Sequence, residues 1–226
     1  MIKAIIFDFD GLIIDTETPE YQSWQAIYQS HGFDMPLSLW TTMIGKGNDD
    51  ITFDPYVHLE DQLKRSIDRD ALRTERRGRM MEKILAQPIL PGISQYIADG
   101  KRMGLKIGLA SSSHAEWVKG HLTRVGLIEH FDHIRTADDV ARTKPDPELY
   151  LAVLKAMDVQ PNEAIAFEDS ANGAWAAKRA GLFCVAVTNP MTHSLNFDHV
   201  DLKLNSLAEM DLSALIQRLC ERSHIT

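Results

Sequence analysis

The chain has 226 residues, a formal net charge of −8 and 44% hydrophobic residues, enough for one large domain or a core with a modest insertion. That acidic balance excludes recognition of nucleic acid or anionic lipid by global charge, so an anionic substrate must be drawn by local cations or a metal. Cys184 and Cys220 form no metal-ligand spacing and no disulfide framework, no apolar run approaches membrane-spanning length, and Asp8 and Asp10 interrupt the N-terminal apolar stretch early, so a secretory signal is not expected and a cytoplasmic protein is.

The first predicted element is the run Lys3-Ala4-Ile5-Ile6-Phe7, a buried strand that ends on Asp8-Phe9-Asp10-Gly11. Strand alternation turns Asp8 and Asp10 to one side and Phe9 to the other, and Gly11 permits a sharp exit that leaves main-chain carbonyls beside the acids. Oxygens gathered in this way suit a hard divalent cation such as magnesium, although an Asp-Gly turn after a strand needs no function by itself.

Thr18 and Pro19 predict a helix start, with Tyr21, Trp24, Ile27, Tyr28 and His31 at helical spacing and Gly32 as the stop. His31 reads as a boundary residue. A short helix is expected within 36–44, followed by a Gly45-Lys46-Gly47-Asn48 loop. Residues 55–87 read as mostly helical, with no strand pattern between Asp15 and Pro88. Arg65, Arg69, Arg73, Arg76, Arg77 and Arg79 make that region locally basic, which is expected of a solvated helix face, with a second reading in which some of them meet an anionic substrate.

From Leu90-Pro91-Gly92 onward short apolar runs alternate with helical segments, the pattern of a parallel sheet wrapped by helices. Strands are expected at 105–110, 134–136, 164–167 and 183–187. Helices are expected at 114–125, at 147–157 with Asp146 as cap, at 171–180 and at 207–222. No repeat or flexible linker is visible, so any second unit packs against the first.

In a doubly wound sheet, ligands bind at the carboxyl ends of the strands where strand order reverses. The residues just past the apolar runs are Asp8 and Asp10, Ser111-Ser112-Ser113, and Glu168-Asp169-Ser170, with Thr143-Lys144-Pro145 ahead of a helix. Each has an ordinary explanation as a cap or loop residue. Together they bring two carboxylate pairs, a hydroxyl and an ammonium to one edge, a set suited to phosphoryl transfer.

Asp8-Phe9-Asp10-Gly11, Ser111, Lys144-Pro145 and Glu168-Asp169-Ser170, in that order, resemble the motifs of the haloacid dehalogenase superfamily, in its phosphatase and β-phosphoglucomutase-like branch. The resemblance implies an α/β fold, a doubly wound, Rossmann-like parallel sheet formed by residues 1–15 and 89–226, with 16–88 inserted as an α-helical cap. It implies Asp8 as the phosphorylated nucleophile, Asp10 as the acid and base, Ser111 and Ser112 with Lys144 as phosphate-binding groups, and Mg2+ held by Asp8, Asp10, Glu168 and Asp169. Glu17, Lys46 and Asn48 are expected to meet the substrate from the cap. The partner expected is a small phosphorylated metabolite, with no nucleic acid and no membrane, and nothing requires more than a monomer.

Where related mutases commonly carry histidine near the start of the first cap helix, this chain has Glu20, whose charge is expected to repel a distal phosphate and to favour hydrolysis over mutase action. Asp10 speaks against dehalogenation. A receiver-like signalling domain would take its acids from different strands and lack the insertion, and no glycine-rich nucleotide loop follows any strand.

Overall fold

The computed structural model describes residues 1–45 and 53–223. Six strands, β1 (Ala4–Phe7), β2 (Lys106–Ala110), β3 (His133–Arg135), β4 (Ala164–Glu168), β5 (Phe183–Val187) and β6 (Leu202–Leu204), form one sheet in the order β3-β2-β1-β4-β5-β6. Every pairing is parallel. The order reverses at β1, so the carboxyl end of β1 and those of its neighbours β2 and β4 flank the crevice where this architecture binds ligands.

Alternation divides the apolar side chains between the two faces. Ile5 and Phe7 face one cluster, which α5 (Ile93–Arg102), α6 (Ala115–Arg124) and α9 (Leu212–Ser223) cover with Tyr96, Val118, Leu122, Leu215 and Leu219. Ala4 and Ile6 face the other, covered by α7 (Glu148–Met157) and α8 (Ala171–Arg179). Small residues on that face, Ala164, Ala166 and Ala186, make room for Tyr150, Val153 and Met157. Cys184 is part of this packing.

Between β1 and α5 lie α1 (Glu17–Ser30), α2 (Leu37–Trp40), α3 (Pro55–Leu63) and α4 (Arg69–Leu85). They bury a separate apolar cluster built on Trp24, Ile27, Tyr28, Met35, Trp40 and Leu59. Tyr28 closes it by donating from its hydroxyl to Pro55 O at 2.8 Å.

Several boundaries differ from expectation. Helix α1 starts at Glu17, because Asp15 Oδ1 accepts the Thr18 N–H at 2.9 Å and Thr18 is thus inside the first turn instead of capping it. The 55–87 stretch is two helices, broken where Lys64 turns to φ +55° and restarted by Asp68, whose carboxylate accepts from Ala71 N. The helix within 36–44 is confined to Leu37–Trp40. The last helix begins at Leu212, since extended backbone at Met210 (φ −150°, ψ 142°) separates it from a short turn at Leu207–Glu209. Strand β6 was not expected from sequence; three residues with one exposed lysine between two leucines are too few to show alternation.

Candidate active site

Register builds the site. Phe7 pairs with Leu109 on β2 and with Phe167 on β4, so Asp8 emerges between the ends of both strands, its N–H donating to Phe167 O at 3.0 Å. Lys144 reaches the same point from the loop before α7 and is fully buried. Its ammonium donates to Asp8 Oδ1 at 2.6 Å and to Ala110 O at 2.8 Å, and pairs with Glu168 Oε1 at 2.6 Å. All three of its donors are thereby used.

Glu168 is held on both oxygens. Oε1 also accepts from the Tyr150 hydroxyl, and Oε2 accepts from Ser170 Oγ at 3.4 Å. The fit tolerates no side chain at Gly173, where an added Cβ would overlap the Glu168 carboxylate. Asp169 Oδ2 accepts from Asn189 Nδ2 at 2.7 Å, while Asp169 Oδ1 is buried without a hydrogen-bond partner. Gly11, at φ +74°, lets the chain turn against Asp169, which a Cβ there would strike.

One ammonium serves three buried carboxylates. Burial raises the Asp8 pKa, Lys144 opposes that rise by charge and hydrogen bond, and Asp10 adds to it. Burial and then the Asp8 charge push Glu168 up to about 7 against the pull of Lys144. Asp169 is pushed well above the carboxylate range by burial and by Asp8, Glu17 and Glu168. Burial alone would lower Lys144, but Asp8 and Glu168 hold it above its ordinary value. Asp8, Glu168 and Asp169 each offer an oxygen within 4.8 Å of the others. An all-oxygen set short of positive charge, with the buried Asp169 Oδ1 unpartnered, fits a hard divalent cation such as magnesium.

Asp8 and Asp10 line a cavity of about 300 Å³ between the sheet edge and the inserted helices. The Asp10 carboxylate accepts three hydrogen bonds, from Thr16 Oγ1 at 2.9 Å and Trp117 Nε1 at 2.9 Å on Oδ1, and from Ser113 Oγ at 2.6 Å on Oδ2. Ser111 is buried beside it, its Oγ accepting from Ser113 N at 3.0 Å. Ser112 also lines the cavity, but its hydroxyl donates to Gly45 O at 3.2 Å and accepts from Lys144 N at 3.3 Å, tying the core to the insertion. Asn172 makes a second tie, donating to Ile44 O at 2.8 Å.

Of the residues expected to meet the substrate, Glu17 lines the cavity, its pKa raised well above normal by burial and then by Glu20, Asp10, Asp8 and Asp15. Lys46 and Asn48 lie outside the described residues. One reading of the arginine run needs correction: Arg76 of α4 is not on a solvated face. It lines the cavity with its guanidinium over Trp24, 4.5 Å from the ring centroid, and pairs with Glu20 Oε1 at 3.5 Å. Glu20, which burial pushes to higher pKa and Arg76 pulls back, is therefore a neutralised acid and not a bare one.

A haloacid dehalogenase-like hydrolase family model matches residues 2–181. The chain belongs to that family. It is 48% identical over 219 residues to YhcW of Bacillus subtilis (strain 168), which carries a provisional phosphatase name, covering 97% of this chain and 98% of that one. It is 30% identical to a validoxylamine A 7'-phosphate phosphatase of Streptomyces hygroscopicus subsp. limoneus, covering 93% and 96%. Among solved structures, a β-phosphoglucomutase from Clostridium difficile superposes with a TM-score of 0.76 at 27% identity, covering 98% and 99%.

Sequence reasoning missed Asn189, Trp117, Thr16 and the place of Arg76. Asn189 was within reach, since it stands just past the apolar run of β5 as Asp8 stands past that of β1. The other three carry no such signal, because their roles depend on how helices pack against the sheet edge.

Proposed function

We propose that this hydrolase is a phosphoric monoester hydrolase that cleaves a small phosphomonoester, of which sugar phosphates are the leading class, through an aspartyl phosphate on Asp8. The observation that carries the reading is the buried Lys144 ammonium shared by Asp8 and Glu168, with Asp169 completing a carboxylate cluster beside it. A carboxylate held by an ammonium at a strand tip is oriented for in-line attack on phosphorus, and the ammonium opposes the neutralising effect of burial on it.

In this mechanism an oxygen of Asp8 attacks phosphorus, the bond to the leaving oxygen breaks with its electron pair, and Asp10 supplies the proton that makes the alcohol. Asp10 then takes a proton from water as that water attacks the aspartyl phosphate, freeing inorganic phosphate and restoring Asp8. Ser111 and Lys144 hold the transferring group. Asp8, Asp169 and the Asp10 carbonyl, with Glu168 behind them, would hold magnesium, which when bound screens the phosphate charge from the attacking carboxylate. Residues 16–88 act as a cap over the core of 1–15 and 89–226, closing to exclude water and turning on hinges near 15–17 and 87–92.

The names of the phosphatase relatives support hydrolysis. The Glu20–Arg76 pair favours a second reading, a phosphomutase, because the acid expected to repel a distal phosphate is neutralised. One experiment separates them. The enzyme is stripped with EDTA and assayed with and without Mg2+ on a panel of phosphomonoesters, including β-glucose 1-phosphate with catalytic β-glucose 1,6-bisphosphate. Magnesium-dependent phosphate release with little glucose 6-phosphate is expected. Activity surviving exhaustive chelation would refute the metal assignment, and isomerisation faster than phosphate release would replace phosphatase by mutase.

A further inference from the structure

The inserted region lines the cavity of Asp8 and Asp10 with Trp24, Trp40, Met43, Phe53 and Pro55, an apolar side that carries idle hydrogen-bond donors. Trp40 is 5% exposed, and its Nε1 has no hydrogen-bond partner among the described residues. The same holds for Nε of Arg76, whose side chain is 12% exposed and lines the same cavity. A buried N–H without an acceptor costs free energy, so such groups are normally paired. Both side chains are held in place. The Trp40 ring packs against that of Tyr21, 6.1 Å between centroids, and the Tyr21 hydroxyl donates to Met35 O at 2.9 Å. Arg76 lies over Trp24 and against Glu20.

The chemistry of these groups selects a ligand. Indole and guanidinium N–H groups only donate, so each calls for an oxygen acceptor. That oxygen does not belong to a second anion. Arg76 is the one cation lining the cavity among the described residues, and it shares the wall with the carboxyls of Glu17 and Glu20 besides Asp8 and Asp10. No positive charge is left over there for a phosphate or carboxylate at the far end of a substrate. Hydroxyls suit the wall better, since they accept from the two donors and donate to Glu17 and Glu20, while the apolar side packs against the C–H groups between them. We infer that Trp40 and Arg76 determine specificity by donating from Nε1 and Nε to hydroxyl oxygens of the leaving group, and that the substrate is the monophosphate of an uncharged polyhydroxylated alcohol, a sugar or polyol, in preference to a bisphosphate or a phosphorylated acid. This rests on the reading of the site as a phosphomonoester hydrolase.

The test compares kcat/KM, with Mg2+ present, for esters of one carbon-chain length. Glucose 6-phosphate and sorbitol 6-phosphate carry neutral hydroxyls, 6-phosphogluconate adds a carboxylate, and n-hexyl phosphate has no acceptor beyond the ester; p-nitrophenyl phosphate reports hydrolysis as such. The faster of the two neutral esters should exceed both 6-phosphogluconate and n-hexyl phosphate by at least about tenfold, because two lost hydrogen bonds or one unpaired charge are each worth about that much. Trp40→Phe keeps a ring against Tyr21 and removes the N–H. It should lower kcat/KM about fivefold on the neutral ester and less than about twofold on n-hexyl phosphate, a selectivity that loss of structure alone would not produce. The ranking on the unmodified protein tests the proposal even if Trp40→Phe melts early. If 6-phosphogluconate or n-hexyl phosphate matches the neutral esters, the proposal is overturned. An equal loss on both esters, or none, in a well-folded Trp40→Phe overturns it as well. Rapid release from p-nitrophenyl phosphate with negligible cleavage of the other esters overturns it while hydrolysis stands. If p-nitrophenyl phosphate also releases nothing, the hydrolase reading falls with it.

Discussion

Replacing Lys144 by methionine keeps the bulk of a fully buried side chain and deletes an ammonium bound to Asp8, Glu168 and Ala110 O. Removing one partner of a buried ion pair leaves uncompensated charge and costs about 3–5 kcal/mol. The cost should depend on pH. Glu168 already stands at about 7 with Lys144 present, above its ordinary 4.5. Between those values the folded state keeps a proton the unfolded state has lost, so metal-free stability falls as pH rises through that window, by about 3 kcal/mol in all. Without Lys144 the opposing pull is gone, and Asp8 and Glu168 rise further. At pH 5.5 Glu168 of the variant is then largely neutral, and the penalty should be less than about half that at pH 7.5. Urea unfolding in EDTA, followed by tryptophan fluorescence, measures this. With a slope on the order of 2 kcal/mol per molar, the midpoint should drop by about 2 M at pH 7.5. A loss below about 1 kcal/mol at pH 7.5, or equal losses at both pH values, would refute the charge accounting.

Asp8→Asn should reduce turnover by at least about a thousandfold while moving the melting temperature little, because the amide matches the carboxylate in shape but is a poor nucleophile; steady-state rates with thermal melts check it. Arg76→Met should raise KM about tenfold for substrates with polar leaving groups and lower the melting temperature through loss of the Glu20 pair, whereas a solvated arginine would change neither; steady-state kinetics and thermal melts check it. Gly11→Ala meets both a positive φ and the Asp169 carboxylate, so it should weaken Mg2+ binding in a calorimetric titration and cost about 1–3 kcal/mol in stability.

The core was legible because its signals are local. Strands β1, β2, β4 and β5 announce themselves as apolar runs between turn residues, and the rule that ligand-binding groups stand just past such runs singles out Asp8, Ser111 and Asp169 as candidates from the sequence. Helix α4 shows where this reading stops. Its arginines are spaced so that most face solvent, and the sequence holds no mark that distinguishes Arg76 from Arg73 or Arg77. Packing of α4 against α1 makes the distinction, by setting Arg76 over Trp24 and beside Glu20.

By itself the sequence determined which groups are candidates for the chemistry, since a carboxylate at a strand tip, a second acid two residues on, an ammonium and a distal carboxylate pair are properties of residue type and of position after strands. Only the tertiary structure decided how those groups are held. Lys144 is separated from Asp8 by 136 residues, and Trp117 from Asp10 by 107, yet each pair meets within hydrogen-bond distance. Such contacts follow from strand order and helix packing around a shared core, which set distances between segments far apart in the chain and leave no periodic trace in either one.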